Sequence, residues 1–281
     1  MRIALFTDIP VWVRPLAGAL ERQGAEVVVV GEADEAGSPD VVVNRFSTRL
    51  VRRFPDRAEA VADALDGWEE AGIRVVNGAK CLRLGWSKIE QARLFESCGA
   101  ETPRTAVADP KRRAFPAVPV LLKPPAGGFG KGIRRLEAGE PIPADVVGDP
   151  SAGWIEQERI RPADGAVHRI EVLGDRILYE AVSAMTGGDF NHCLANADGQ
   201  TPLFPEEGIA EKVRDRVERI RSAAAMELGA VEYLMTPEGR PLFIDLNPVS
   251  SLHPQAGKAL GHDPLDRIAG YIAKACPSEG P

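Results

Sequence analysis

The sequence predicts an α/β and α+β chain that begins with a small open α/β domain carrying a mostly parallel sheet. Three observations lead there. Val27 to Val30 are four valines in a row, the uninterrupted β-branched pattern of a buried strand. Short apolar runs at Ile3–Thr7, Val41–Val43 and Arg74–Asn77 alternate with helical stretches. Much later, two apolar strands flank Pro237-Glu238-Gly239, which reads as a hairpin across residues 230–246.

The elements follow in order. After the first strand a helix runs to Gln23 and stops at Gly24. From Asp56 to Ala71, Ala58, Val61, Ala62, Leu65 and Trp68 fall on one helical face, and Gly72 ends it. A boundary falls near Leu84. Ser87-Lys88-Ile89-Glu90 reads as a capping box opening a helix that ends at Gly99. Val118 to Lys123 is a strand leading into a Gly- and Pro-rich loop, and residues 137–153 read as irregular. Strands are expected near 154–158, 168–173 and 176–183, a long helix near 206–227, and a last helix over 264–275.

Composition narrows the function. The 281 residues are 44% hydrophobic and 27% charged, a soluble globular balance. The net charge of −7 argues against a nucleic-acid binder, yet leaves room for an anionic ligand held by local cations. Cys81, Cys98, Cys193 and Cys276 form no CxxC pair and no zinc-ribbon spacing, so reduced thiols are expected. With neither a signal peptide nor a membrane span in view, the expected location is the cytoplasm.

Four constellations carry possible chemistry. The first is Lys123 followed by the loop Pro124 to Gly132, with Gly127, Gly128, Gly130, Lys131 and Gly132. Glycines let the backbone approach a phosphate, and two lysines supply countercharge. It is neither a Walker A loop nor a dinucleotide fingerprint, and a plain hairpin loop is the competing reading. The second is Lys88, in the first helical turn, where a cation opposes the helix dipole unless a bound anion reverses the balance. A solvated surface lysine is the alternative.

The third is Glu232, Asp245 and Asn247. Both carboxylates interrupt strands that are otherwise apolar, and a buried carboxylate needs a partner. Asp245 and Asn247 are two apart and share a strand face, and a hairpin can set Glu232 beside them. These hard oxygen donors suit Mg²⁺ bridging nucleotide phosphates; an ion pair to an arginine competes for Glu232 alone. The fourth is Glu156, Gln157, Glu158, Arg159 and Ile160, then Asp164 and Arg169, which alone reads as a strand of alternating charge. Arg14, Arg45 and Arg49 are candidates for a substrate carboxylate, Arg45 because it follows a strand of an open sheet. His168, His192 and His253 are possible bases.

Taken in order, these motifs resemble the ATP-grasp superfamily, and within it the RimK-type amino-acid ligases. The resemblance runs from about residue 74 to 252, through Val76-Asn77, Ser87-Lys88, Pro103-Arg104-Thr105, Val120 to Lys123, Glu156-Gln157-Glu158, Arg169 to Gly174, Gly188-Asp189-Phe190, Val231-Glu232 and Ile244-Asp245-Leu246-Asn247. It implies a pre-ATP-grasp domain over 1–84, a lid subdomain over 85–155 and a C-terminal subdomain with the metal site over 156–281. It also implies ATP and Mg²⁺ as cofactors. Lys88 and Lys123 would contact phosphates, Gly127 to Gly132 would cover them, and Glu156 to Ile160 would line the adenine pocket. Glu232, Asp245 and Asn247 would hold metal, with Arg169 near an acyl phosphate. The implied activity joins a carboxylate to an amine, with small molecules, a peptide or a carrier protein as partners and a homo-oligomer as the assembly.

The chain departs from the family in three places. Its outer metal ligands come as Glu then Asp, Ser183 stands near an expected arginine, and Cys193 near an expected asparagine. Glutamate addition is therefore not expected. A phosphotransferase on the same fold, or a nucleotide-binding regulatory protein without catalysis, are the other functions weighed.

Overall fold

The computed structural model describes residues 1–109, 111–124, 132–146, 153–184, 203–205, 208–250, 252 and 256–274. The first sheet is all parallel, in the order β2 (Glu26–Val30), β1 (Arg2–Phe6), β3 (Val41–Asn44), β4 (Arg74–Val76). Helices α1 (Pro10–Arg22), α2 (Leu50–Arg53) and α3 (Pro55–Glu70) lie between its strands, and α4 (Ala79–Trp86) follows it. Period-two alternation sorts β1 between two cores. Ala4 and Phe6 join Ala58, Val61, Ala62 and Leu65 of α3, the face expected for that helix. Ile3 and Leu5 join Val13, Leu16 and Leu20 of α1 on the other side.

That second core does not stop at the first domain. It continues into Tyr179, Ala181 and Leu228 of a five-stranded antiparallel sheet, and into Ile268 and Ile272 of α8 (Pro264–Lys274). The sheet order is β11 (Leu203–Pro205), β10 (Arg176–Ala184), β9 (Ala166–Leu173), β12 (Leu228–Met235), β13 (Pro241–Asn247). Its far face packs on α5 (Lys88–Ser97) and α6 (Glu211–Ala223) through Phe95, Ile170, Val213, Val217, Tyr233 and Phe243. The helix expected over 206–227 is thus shorter; α6 starts at Glu211 after Ala210, whose ψ of 134° is not helical. Residues 256–260 form α7.

A third sheet, antiparallel, has the order β5 (Thr105–Val107), β8 (Ile155–Glu158), β6 (Val120–Lys123), β7 (Arg134–Leu136). The division drawn from the sequence between 155 and 156 falls at the first residues of β8. No helix among the described residues is long and apolar enough to cross a membrane.

Asn77 ties the first domain to the second sheet. Its φ of 59° is left-handed, uncommon for any residue but glycine and most tolerated by Asn and Asp. Its amide nitrogen donates to the carbonyls of Leu228 and, at 2.7 Å, Pro248. Its amide oxygen accepts from Glu227 N at 2.9 Å and Leu228 N at 3.1 Å. Asn44 Nδ2 in turn donates to the Asn77 carbonyl at 2.9 Å. Asn77 and Asn44 are buried, so a partner lost there strands a polar group. Nearby, Gly85 of α4 comes so near Pro248 that an added Cβ would lie 2.9 Å from its ring. Asn77→Ala is expected to cost about 2–4 kcal/mol, read as a fall in the urea midpoint.

Beside Asn77, Arg74 ion-pairs with Glu227, which also accepts from the Tyr271 hydroxyl of α8. Burial works to raise the Glu227 carboxyl, but Arg74 and Tyr271 hold it below its ordinary 4.5. A carboxylate depressed in the folded state stabilises above its unfolded pKa, and the contribution is lost as pH falls through the folded value. Glu227→Gln should therefore cost about 1–2 kcal/mol at pH 7. The gap from the parent protein should close on acidification below 4.5, as urea titrations at the two pH values would show.

Candidate functional site

The hairpin of β12 and β13 sets Glu232 directly opposite Asp245. The register then slips, so that Tyr233 faces Phe243 and Ile244 is the extra residue of a β-bulge. The bulge lets Phe243 and Leu246, three apart, both enter the core on the helix-covered face. Asp245 and Asn247 then point the other way, to the face that carries Glu232. Gly229 of β12 permits this packing, since an added Cβ would lie 2.6 Å from the Asn247 carbonyl oxygen. Asn247 Nδ2 lies 3.4 Å from Glu232 Oε1.

Cations converge on this face from separate elements. Ser87 caps α5, its hydroxyl accepting from Glu90 N at 3.3 Å, while the Glu90 carboxylate pairs with Arg93. That cap starts the helix at Lys88, which ion-pairs with Asp245 and is only 11% exposed at its side chain. The solvated surface lysine weighed from the sequence is not what forms. Lys123 ends β6 opposite Ile155 of β8. Burial pushes its ammonium down to about 8; Asp245 and Glu232 oppose the fall and Lys88 adds to it.

Arg169 of β9 faces Glu232 across the sheet. Its Nη1 donates to Glu232 Oε1, its Nε to Glu171 Oε1 at 2.7 Å, and its Nη2 to Ser250 Oγ at 2.8 Å. Burial works against its charge, yet Glu171 and Glu232 hold its pKa above the ordinary arginine value. Burial raises the Glu232 carboxyl; Arg169 and Lys88 pull against that rise and Asp245 adds to it. Arg45, leaving β3, donates from Nη2 to the Ser250 carbonyl at 2.7 Å. Burial lowers its pKa to about 10, with Glu171 opposing. Its Nε and Nη1 are buried without a hydrogen-bond partner among the described residues.

The cluster therefore sets Lys88, Lys123, Arg169 and Arg45 against Asp245, Glu232 and Glu171. Cations outnumber carboxylates, so the face favours an anion. Its oxygen donors also fit a small divalent cation. Glu232, Asp245 and Asn247 offer two carboxylates and an amide on one face, hard ligands of the kind Mg²⁺ takes alongside phosphate oxygens. Among the described residues no three His, Cys, Asp or Glu side chains are arranged to hold a metal ion by themselves, so a metal here would also draw on Asn247 and on its ligand's oxygens.

Other expected residues lie elsewhere or have other work. Glu156 is fully buried: it pairs with Arg113 at 2.7 Å and accepts from Ala114 N and Phe115 N at 2.8 and 3.1 Å. Its carboxylate is thus committed to the turn before β6. Gln157 donates to Thr105 Oγ1 at 2.9 Å, Glu158 accepts from Arg104, and Arg159 pairs with Glu137. Ile160 follows β8, half-buried. Gly132 has a φ of 83° at the entry to β7, while Gly127, Gly128, Gly130 and Lys131 lie outside the described residues.

His168 is not beside Arg169 in space. Successive strand residues face opposite ways, and its ring nitrogens lie 2.9 Å from Glu180 and 2.7 Å from Asp164, with the ring stacked on Tyr233. His192, His253 and Gly188 to Phe190 fall outside the described residues. Arg14 is exposed on α1, and Arg49 sits over the Trp12 ring at 5.6 Å. Sequence reasoning missed Glu171 and Ser250. Glu171 could have been found, since it interrupts the apolar run Ile170 to Leu173 just as Glu232 interrupts β12. Nothing in the sequence marks Ser250.

No protein-family model matches the chain. Among curated proteins, it is 25% identical over 272 residues to a formate-dependent phosphoribosylglycinamide formyltransferase of Ignicoccus hospitalis, covering 82% of this chain. The chain spans 64% of that relative's length. It is 26% identical over 220 residues to a probable alpha-L-glutamate ligase 1 of Shewanella amazonensis, covering 74% of this chain and 70% of the other. Among solved structures, the ATP-grasp ligase PsnB complexed with minimal precursor, Mg and ADP superposes with a TM-score of 0.70 at 18% identity, over 98% of this chain and 97% of that one. With this architecture, end to end, the chain has the ATP-grasp fold.

Proposed function

We propose that the chain is an ATP-dependent ligase that joins a carboxylate to an amine through an acyl phosphate, releasing ADP and phosphate. One observation carries the reading: Lys88, Lys123 and Arg169, from three separate elements, converge on the carboxylate pair Glu232 and Asp245. Buried opposite charges held this closely are costly as mere structure and suit a site that handles polyphosphate. Of the three proteins compared above, two are named as ligases, the probable alpha-L-glutamate ligase 1 and PsnB, and those names support the reading.

In this reading Lys88 and Lys123 bind the phosphates, and Arg169 offsets charge that develops during phosphoryl transfer to the substrate carboxylate. Glu232, Asp245 and Asn247 hold Mg²⁺, which supplies Lewis-acid neutralisation of the phosphates when bound. The exit of β8 toward Ile160 lies beside Val120, three residues along β6 from Lys123. At ordinary strand rise that is about 10 Å, a fitting distance between an adenine and its outer phosphates. Gly127, Gly128, Gly130, Lys131 and Gly132 are assigned to a cover that keeps water from the intermediate. Arg45, with buried N–H groups left over, is the candidate for the substrate carboxylate. The free thiols of Cys81 and Cys98 fit a cytoplasmic setting.

The decisive experiment incubates the protein with Mg-ATP and pools of amino acids and small peptides, following ADP and phosphate and weighing products by mass spectrometry. A dehydrated conjugate formed only with ATP is the expected result. ADP with a phosphorylated product and no conjugate would mean a phosphotransferase; no nucleotide turnover or binding would overturn the reading. In the same assay Asp245→Asn and Lys123→Ala should each lower turnover by about a hundredfold or more. Parent-level activity in either variant would remove that residue from the site.

A further inference from the structure

Arg169 is held by three acceptors from three segments, and two of them also bind each other. Ser250 Oγ accepts from Arg169 Nη2 at 2.8 Å and donates to Glu171 Oε1 at 2.6 Å. The same Glu171 oxygen accepts from Arg169 Nε at 2.7 Å, which closes a ring of three hydrogen bonds. The proton positions in that ring are fixed by chemistry. Guanidinium only donates and an ionised carboxylate only accepts, so the single Ser250 proton must point at Glu171 and its lone pairs at Arg169. Glu171 is fully buried and Ser250 is 4% exposed, so water does not compete for these bonds. The Ser250 main chain is anchored from the first domain by Arg45.

The consequence concerns Glu232. An arginine facing a carboxylate forms a two-pronged fork when its geometry allows. Here Nε and one of the two N–H groups of Nη2 bond Glu171 and Ser250 along one edge of the guanidinium and so fix its angle, and at that angle Nη1 bonds Glu232 through Oε1 without the fork closing. We infer that Ser250 and Glu171 are positioning residues that hold Arg169 in a single-pronged contact and so keep Glu232 available to a divalent cation. The inference rests on the proposed nucleotide and metal site. Removing the Ser250 hydroxyl leaves the guanidinium held on that edge by Glu171 alone and free to turn until the second N–H of Nη2 joins Nη1 on Glu232, and the cation must then displace two hydrogen bonds instead of one.

The test compares the full-length protein with its Ser250→Ala variant by calorimetry of ADP binding. Binding is measured in EDTA and again across a Mg²⁺ titration. The expected result is a rise of about tenfold in the Mg²⁺ concentration for half-maximal binding, the loss typical of an outer partner of a metal ligand. ADP affinity in EDTA should stay at the parent level. An unchanged Mg²⁺ requirement, or equal weakening with and without Mg²⁺ as from a merely loosened structure, would overturn the positioning role. Failure of the parent protein to bind ADP at all would instead overturn the proposed function, and this inference with it.

Discussion

Two carboxylates face each other across one hairpin, and most of the cleft is arranged around compensating them. Glu232 and Asp245 are cross-strand partners, close enough that like charge alone would destabilise the pair. Lys88 answers Asp245 and Arg169 answers Glu232. Each answer depends on an element placed for other reasons. Lys88 stands at the capped start of α5, two turns before Phe95, which carries the same helical face into the core. Arg169 lies on β9 between Ile170 and His168, both turned to the other face. The bulge at Ile244 makes the two demands compatible, because it keeps Phe243 and Leu246 in the core while Asp245 and Asn247 face the cleft.

A fixed frame follows from that arrangement, since charges paired at hydrogen-bond distance tolerate little drift. The segment after β13 is pinned twice from the first domain, at the Pro248 carbonyl by Asn77 and at the Ser250 carbonyl by Arg45. The first domain is therefore more than a neighbour packed by apolar contact. Its core runs into the second sheet through Tyr179 and Leu228, and its polar residues decide where the residues after Asn247 lie. A change in Asn77 would be felt in the cleft as well as in overall stability.

Much of this was legible in the sequence, for identifiable reasons. The parallel sheet was readable because Val27 to Val30 and Val41 to Val43 are β-branched apolar runs, and the α3 stripe because Ala58 to Leu65 keep helical spacing; the burial expected of Val27 to Val30 was not met, since β2 is the sheet's edge strand and leaves Val29 exposed. The hairpin, the capped helix at Ser87 and the pairing of Glu232 with Asp245 were readable from turn residues, capping residues and interrupted apolar runs. The bulge was not, since strand alternation carries no mark of one extra residue. Nor was the engagement of Glu156, which in sequence looks like part of an alternating exposed strand but is buried by Arg113, forty-three residues away. Ser250 and Arg45 meet only through the fold, 205 residues apart. Long-range polar pairs leave no local periodicity, and this is where sequence reasoning ran out.

The same charges explain why the proposed ligands would bind as a pair. Lys123 is pushed down and Glu232 is pushed up, so the resting cleft strains cation and anion alike. A polyphosphate alone would draw Lys88 and Arg169 from their carboxylates and leave Asp245 and Glu232 beside added negative charge. A divalent cation alone would take those carboxylates and leave the lysines and Arg169 unanswered. Together they exchange partners, metal with carboxylates and phosphates with cations, and no buried charge is left alone. Each ligand then favours the other by a coupling free energy that is reciprocal by linkage. On this account the ion pairs seen in the cleft act as placeholders, holding both sets of groups in position until both ligands arrive.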